Sequence, residues 1–133
     1  MSANDTQVGG THYQTEVQHW DMIEDHGIGY LEGCATKYLT RWRAKGQPAK
    51  DFGKARHYVE KLVEKAQSIG RLPRGEVPKD KFVDFVEAND CGLLESNAIH
   101  ILVGTWRIAE LATVLGYIDQ LVRLEEEERY RER

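Results

Sequence analysis

YLEGCATKYLTRWRAKGQPAKDFGKARHYVEKLVEKAQSIG, residues 30–70, reads as two helices and the turn that joins them. Leu31, Ala35, Tyr38, Leu39 and Trp42 recur at helical spacing, which predicts a helix from about Tyr30 to Ala44. Gly46 ends it, since glycine enters the left-handed conformation that commonly closes a helix. Pro48 suits the first position of the next helix, where an amide proton would have no partner in any case. That helix carries Phe52, Ala55, Val59, Leu62, Val63 and Ala66 on one face, and Gly70 closes it. A connection as short as Gly46–Gln47 makes the two helices an antiparallel hairpin.

Upstream, Val17, Trp20 and Ile23 predict a short helix over residues 17–26, stopped by Gly27. Residues 1–16 are polar and glycine-containing and read as a flexible arm. Downstream, GRLPRGEVP at 70–78 holds two glycines and two prolines and reads as a linker. Phe82, Val83, Phe85 and Val86 mark a short helix, and residues 93–103 a further one. Gly104 and Thr105 interrupt the pattern, with Thr105 as the N-cap of the last helix. There Ile108, Leu111, Leu115, Ile118 and Val122 form a heptad-like stripe, widened by Ala112, Val114 and Leu121. No segment alternates with period two. The expected fold is therefore all-α: a small helical hairpin core over 17–69, a linker over 70–78, and a C-terminal helical hairpin over 79–133 with a long last helix. That stripe either packs on the chain's own core or assembles subunits. A core of about sixty residues is marginal alone, which favours a homo-oligomer built through the C-terminal helices.

The 133 residues are 41% hydrophobic and 30% charged, with a formal net charge of −4. An acidic balance argues against nucleic acid as the partner. The apolar runs are too short for a bilayer, and the start lacks a signal-peptide pattern, so a cytoplasmic location is expected. Cys34 and Cys91 form no CxxC pair, and the five histidines show no metal-ligand spacing, so no metal site is expected. In the tail EEEERYRER, Glu125 with Arg129 and Glu127 with Arg131 are four apart and read as a solvated helix end.

Within the first hairpin, Gly33, Lys37, Arg41 and Lys45 follow at steps of four, a stripe along one face. Asp51, Lys54 and Tyr58 form a second stripe at steps of three and four, with His57 beside them. Folding the hairpin brings Lys37, Arg41, Lys45 and Lys54 toward one groove. Asp51 can neutralise one of these charges and phosphates the others. Tyr38 and Tyr58 flank the groove. There is no GxxxxGK[ST] loop, because Gly53-Lys54 is followed by Ala55 in mid-helix. Glu60 and Glu64 are four apart and Glu24 and Asp25 are adjacent, so neither gives the paired ExxE and ExxD carboxylates that a pyrophosphohydrolase uses for magnesium.

GGTHY at 9–13, WDMIE at 20–24, LEGCATKYLTRWRAKG at 31–46 and KDFGKARHYVEKL at 50–62 resemble a phage-encoded helical family, formerly of unknown function, of nucleotide (deoxynucleoside monophosphate) kinases without a P-loop. The resemblance spans about residues 8–66. Cys34 stands where the family usually has asparagine, and Trp20 where it often has proline. The resemblance implies phosphoryl transfer from a nucleoside triphosphate donor to a deoxynucleoside monophosphate, in the host cell cytoplasm. It implies catalytic roles for Lys37, Arg41, Asp51 and Lys54. His12, Tyr13, Gly33, Tyr38, Lys45, His57 and Tyr58 would line the nucleotide and phosphate site, with one of the tyrosines stacking on a base. Magnesium is compatible with this chemistry but not indicated by the sequence. The alternative is a non-catalytic nucleotide-binding or regulatory protein using the same pocket.

Overall fold

A computed structural model describes residues 17–70 and 75–131. Among the described residues six helices follow one another: α1 His19–Asp25, α2 Tyr30–Lys45, α3 Pro48–Ile69, α4 Lys79–Ala88, α5 Leu93–Leu102 and α6 Ile108–Arg131. The fold is all-α, with no strand among the described residues, and no described helix is long and apolar enough to cross a membrane.

The punctuation residues act as their chemistry requires. Gly46 sits at φ 73° and donates its N–H to the Trp42 carbonyl, and Gly70 at φ 63° does the same for Ala66. Pro48 opens α3. Between these stops, α2 and α3 run antiparallel and bury Ala35, Leu39 and Trp42 against Phe52, Ala55, Val59 and Leu62. The Trp42 and Phe52 rings meet at 4.8 Å in a tilted contact. Side chains of this size contribute about 1.5–3 kcal/mol each when removed from water.

α6 lies against α3 and α5. Its buried row is Leu111, Val114, Ile118 and Leu121, with Leu115 and Val122 at the margin, so the apolar face turns toward the chain's own core. Arg56 on α3 and Asp119 on α6 pair at 2.8 Å across the same interface. One buried cluster runs from Met22 on α1 through Val77, Phe85, Ile99 and Trp106 to Leu121. Gly75 passes so close to the end of α1 that a Cβ there would overlap the His26 carbonyl oxygen. Two residues on, the Val77 N–H donates to the Val103 carbonyl at 2.8 Å.

Two local expectations change. The last helix begins at Ile108 rather than behind a Thr105 cap. Here the Glu110 carboxylate accepts the Arg107 N–H at 2.9 Å, while the Glu110 N–H returns to the Arg107 carbonyl. A side chain three residues into the helix thus satisfies the free donor, as in half of a capping box. At the far end, Arg129 pairs with Glu125 as its spacing suggests, whereas Arg131 pairs with Glu128, three residues back, instead of Glu127.

Candidate functional site

One side of the α2–α3 hairpin gathers cations around one half-buried ring. The Arg41 guanidinium lies 4.5 Å from the Tyr38 ring centroid, the Lys54 ammonium 5.1 Å and the Lys37 ammonium 5.7 Å. Lys37 and Arg41 come from successive turns of α2, and Lys54 comes across from α3. All three are within about a Debye length of one another at ordinary salt. The negative face of an aromatic ring attracts each cation by about 0.5–1 kcal/mol at an accessible position. The ring thereby holds together charges that would otherwise spread apart.

Asp51, in the first turn of α3, is fully buried. Its Oδ1 accepts from Arg41 Nε at 3.3 Å and Nη2 at 3.2 Å, while its Oδ2 has no hydrogen-bond partner. A carboxylate taken wholly out of water is tolerated only beside a cation. Asp51 therefore fixes Arg41 at the top of the cluster and neutralises one charge of the three.

Tyr58 stacks on Tyr38, with ring centroids 6.0 Å apart and planes 9° from parallel. Between Tyr58 and the exposed Tyr30 lies Cys34. Its hydrogen bond raises the Tyr30 phenol above its ordinary pKa, and the negative charge available to its sulfur raises that of Tyr58. Cys34 thus occupies the foot of a tyrosine cluster. On the opposite flank, α1 supplies His19, whose Nε2 lies 2.7 Å from the Thr36 hydroxyl. That hydroxyl also reaches the carbonyls of Glu32 at 2.9 Å and Gly33 at 3.1 Å. When its single hydrogen goes to a carbonyl, Nε2 must be the donor in the contact with His19. Burial, followed by the charge of Lys37, lowers the His19 pKa from 6.5 to about 4. The imidazole is neutral at physiological pH.

The sequence-derived residues sort as follows. Lys37, Arg41, Asp51, Lys54, Tyr38 and Tyr58 come together. Gly33 is buried beneath α1, where a Cβ would meet Ile23 Cγ2 at 3.1 Å, so its role is close helix packing. Lys45 is exposed on the last turn of α2, and His57 is exposed on α3. Neither belongs to the group of cations at the Tyr38 ring, because each projects from a part of its helix turned to solvent. His12 and Tyr13 lie outside the described residues. Base stacking on Tyr38 or Tyr58 also needs revision: the two rings stack on each other, and cations surround Tyr38. Among the described residues no three His, Cys, Asp or Glu side chains group as a metal site would require.

Sequence reasoning missed two features. His19 and Thr36 border the site, and the only signal for them was that Thr36 precedes Lys37. The second is Glu95 on α5, buried, whose Oε2 accepts from Trp42 Nε1 and Arg43 Nε, both at 3.0 Å. Arg43 also lies over the Trp42 ring at 4.2 Å. This cluster ties the last turn of α2, just beyond the cation group, to the C-terminal half. An acid within the apolar run LLESNAIHIL gives no hint of its donors.

No curated protein and no solved structure matches the chain. The resemblance to nucleotide kinases is overturned: the matching family carries no assigned activity, and nothing in the comparisons points to a kinase family. What the chain does match, over residues 8–60 and so over less than half its length, is a family described as protein of unknown function (DUF3310).

Proposed function

We propose that the α2–α3 hairpin binds a phosphate-bearing ligand of the nucleotide class, its phosphates lying against Lys54, Lys37 and Arg41. The observation that carries this reading is the convergence of three cations on the Tyr38 ring with one buried carboxylate among them. Arg41, oriented by Asp51, presents a planar guanidinium of the kind that suits phosphate oxygens. Lys37 and Lys54 act as point charges on either side. The same arrangement would stabilise charge on a phosphoryl group in transfer, where catalysis is mainly positioning and electrostatics. Transfer from a nucleoside triphosphate to a deoxynucleoside monophosphate is therefore the reaction to assay beside binding. A purely binding or regulatory role follows if ligands bind without turnover.

The test is titration calorimetry with inorganic phosphate, deoxynucleoside monophosphates and nucleoside triphosphates, on wild type and Lys54→Ala. A charge-assisted contact contributes about 1.5–3 kcal/mol, so Lys54→Ala should weaken binding about tenfold or more. Affinity should also fall as salt rises. Binding by neither chain, or equal binding by both, refutes the site.

A further inference from the structure

A groove of about 590 Å³ lies at the C-terminal end of α2, between the start of α5 and the end of α6. Its lining is divided: Trp42, Leu94 and Leu121, with Leu93 and Leu124 that are 77% and 53% exposed, are apolar, whereas Glu125, Glu127, Glu128 and Arg131 of α6 are charged. Beyond Leu124, α6 continues for two further turns in which every residue from Glu126 to Arg131 is exposed. Isolated turns of helix are marginal in water, and the internal pairs there are long, at 3.8 Å. Pairs of that kind contribute about 0.3–0.5 kcal/mol.

The charge order of this extension is divided. Glu125 to Glu128 form an acidic block, and Arg129 and Arg131 follow it, with the exposed Tyr130 between them. We infer that the groove, with the α6 extension as one wall, is a self-complementary surface, and that its occupant is the α6 tip of a second copy of this chain. A two-fold axis reverses the second helix, as an isologous interface demands. Arg129 and Arg131 of each copy then approach the acidic block of the other. The same reversal carries Tyr130 of the second copy toward Leu124, over the apolar floor between Leu93 and Leu121. A tyrosine is well suited to such a place, since its ring fills the apolar floor while its hydroxyl stays at the wet rim. The interface is separate from the cation cluster around Tyr38, so it stands or falls independently of the ligand proposed there.

The experiment is light scattering and sedimentation equilibrium on the full chain and on two charge reversals, Glu125→Arg with Glu127→Arg and Arg129→Glu with Arg131→Glu. Wild type should be a dimer that weakens at high salt. Each reversal alone should raise the dimer dissociation constant by about tenfold or more, with unchanged helical circular dichroism. Mixing the two reversed chains in equal amounts should restore a one-to-one dimer. Leu124→Glu should give a folded monomer. A monomeric wild type, or an assembly unaffected by the reversals and by Leu124→Glu, overturns the inference.

Discussion

Replacing Arg41 with alanine should cost far more stability than the loss of an ordinary surface arginine. Asp51 is fully buried, and Arg41 is the partner of its Oδ1 through both Nε and Nη2. The other oxygen has no partner that could take over. Arg41→Ala therefore leaves an uncompensated charge in the interior, which costs about 3–5 kcal/mol. For a chain of this size that lowers the melting temperature on the order of 10–15 °C. Asp51→Asn in the same chain removes the stranded charge while keeping the shape, and should return at least about 1 kcal/mol of the loss. The assay is urea unfolding followed by circular dichroism for wild type, both single variants and the double variant at neutral pH. If the single effects add to give the double within about 0.5 kcal/mol, or if Arg41→Ala costs under about 1 kcal/mol, the buried pair is not what holds this corner. The result also governs how ligand data are read, because an Arg41 variant must first be shown to be folded.

Stability should fall with acid in a particular window. His19 titrates near 6.5 in the unfolded chain and about 4 in the folded one. Its contribution is complete above pH 6.5 and is lost as the pH falls toward 4, a change of about 3 kcal/mol; His19→Gln should flatten that part of the profile of urea midpoints against pH. Gly53 is exposed in mid-helix, with nothing within 4 Å of an added Cβ. Gly53→Ala should therefore stabilise by about 0.5–1 kcal/mol, seen as a higher melting temperature. Glu95→Ala strands the buried Trp42 indole N–H and should cost about 2–4 kcal/mol. Arg43→Ala takes the cation from the same buried carboxylate and should cost about 1–3 kcal/mol by chemical denaturation, the Trp42 indole still donating.

The first hairpin was legible because its ends are written in residues with a single strong conformational preference: Gly46, Pro48 and Gly70. The convergence of Lys37, Arg41 and Lys54 was legible for a related reason. Residues four apart share a helix face, and a two-residue turn leaves the neighbouring helix little choice but to lie alongside. Where the cations would rest was not legible, because the organising group is the face of Tyr38, and ring geometry has no sequence period. The start of α6 was misplaced because Thr105 is a good cap by type, whereas the donor is actually met by Glu110 from inside the helix. The broad apolar face of α6 allowed several registers, and only packing against α3 and α5 selects Leu111, Val114, Ile118 and Leu121. Glu95 was invisible for a deeper reason. Its burial is tolerable only because Trp42 and Arg43, more than fifty positions earlier, arrive with their donors.

The family match stops at residue 60, in the middle of α3. Yet α6 packs along α3 and is tied to it by the Arg56–Asp119 pair, and Val59, Leu62 and Ala66 around and beyond that boundary are buried in the shared core. The stretch that matches the family description is thus not the stretch that can stand alone in water. A fragment cut at that boundary would expose an apolar seam and should aggregate or remain loosely packed. For the same reason, grafting the cation-bearing segment onto another scaffold would require a replacement for α6 before any ligand could be expected to bind.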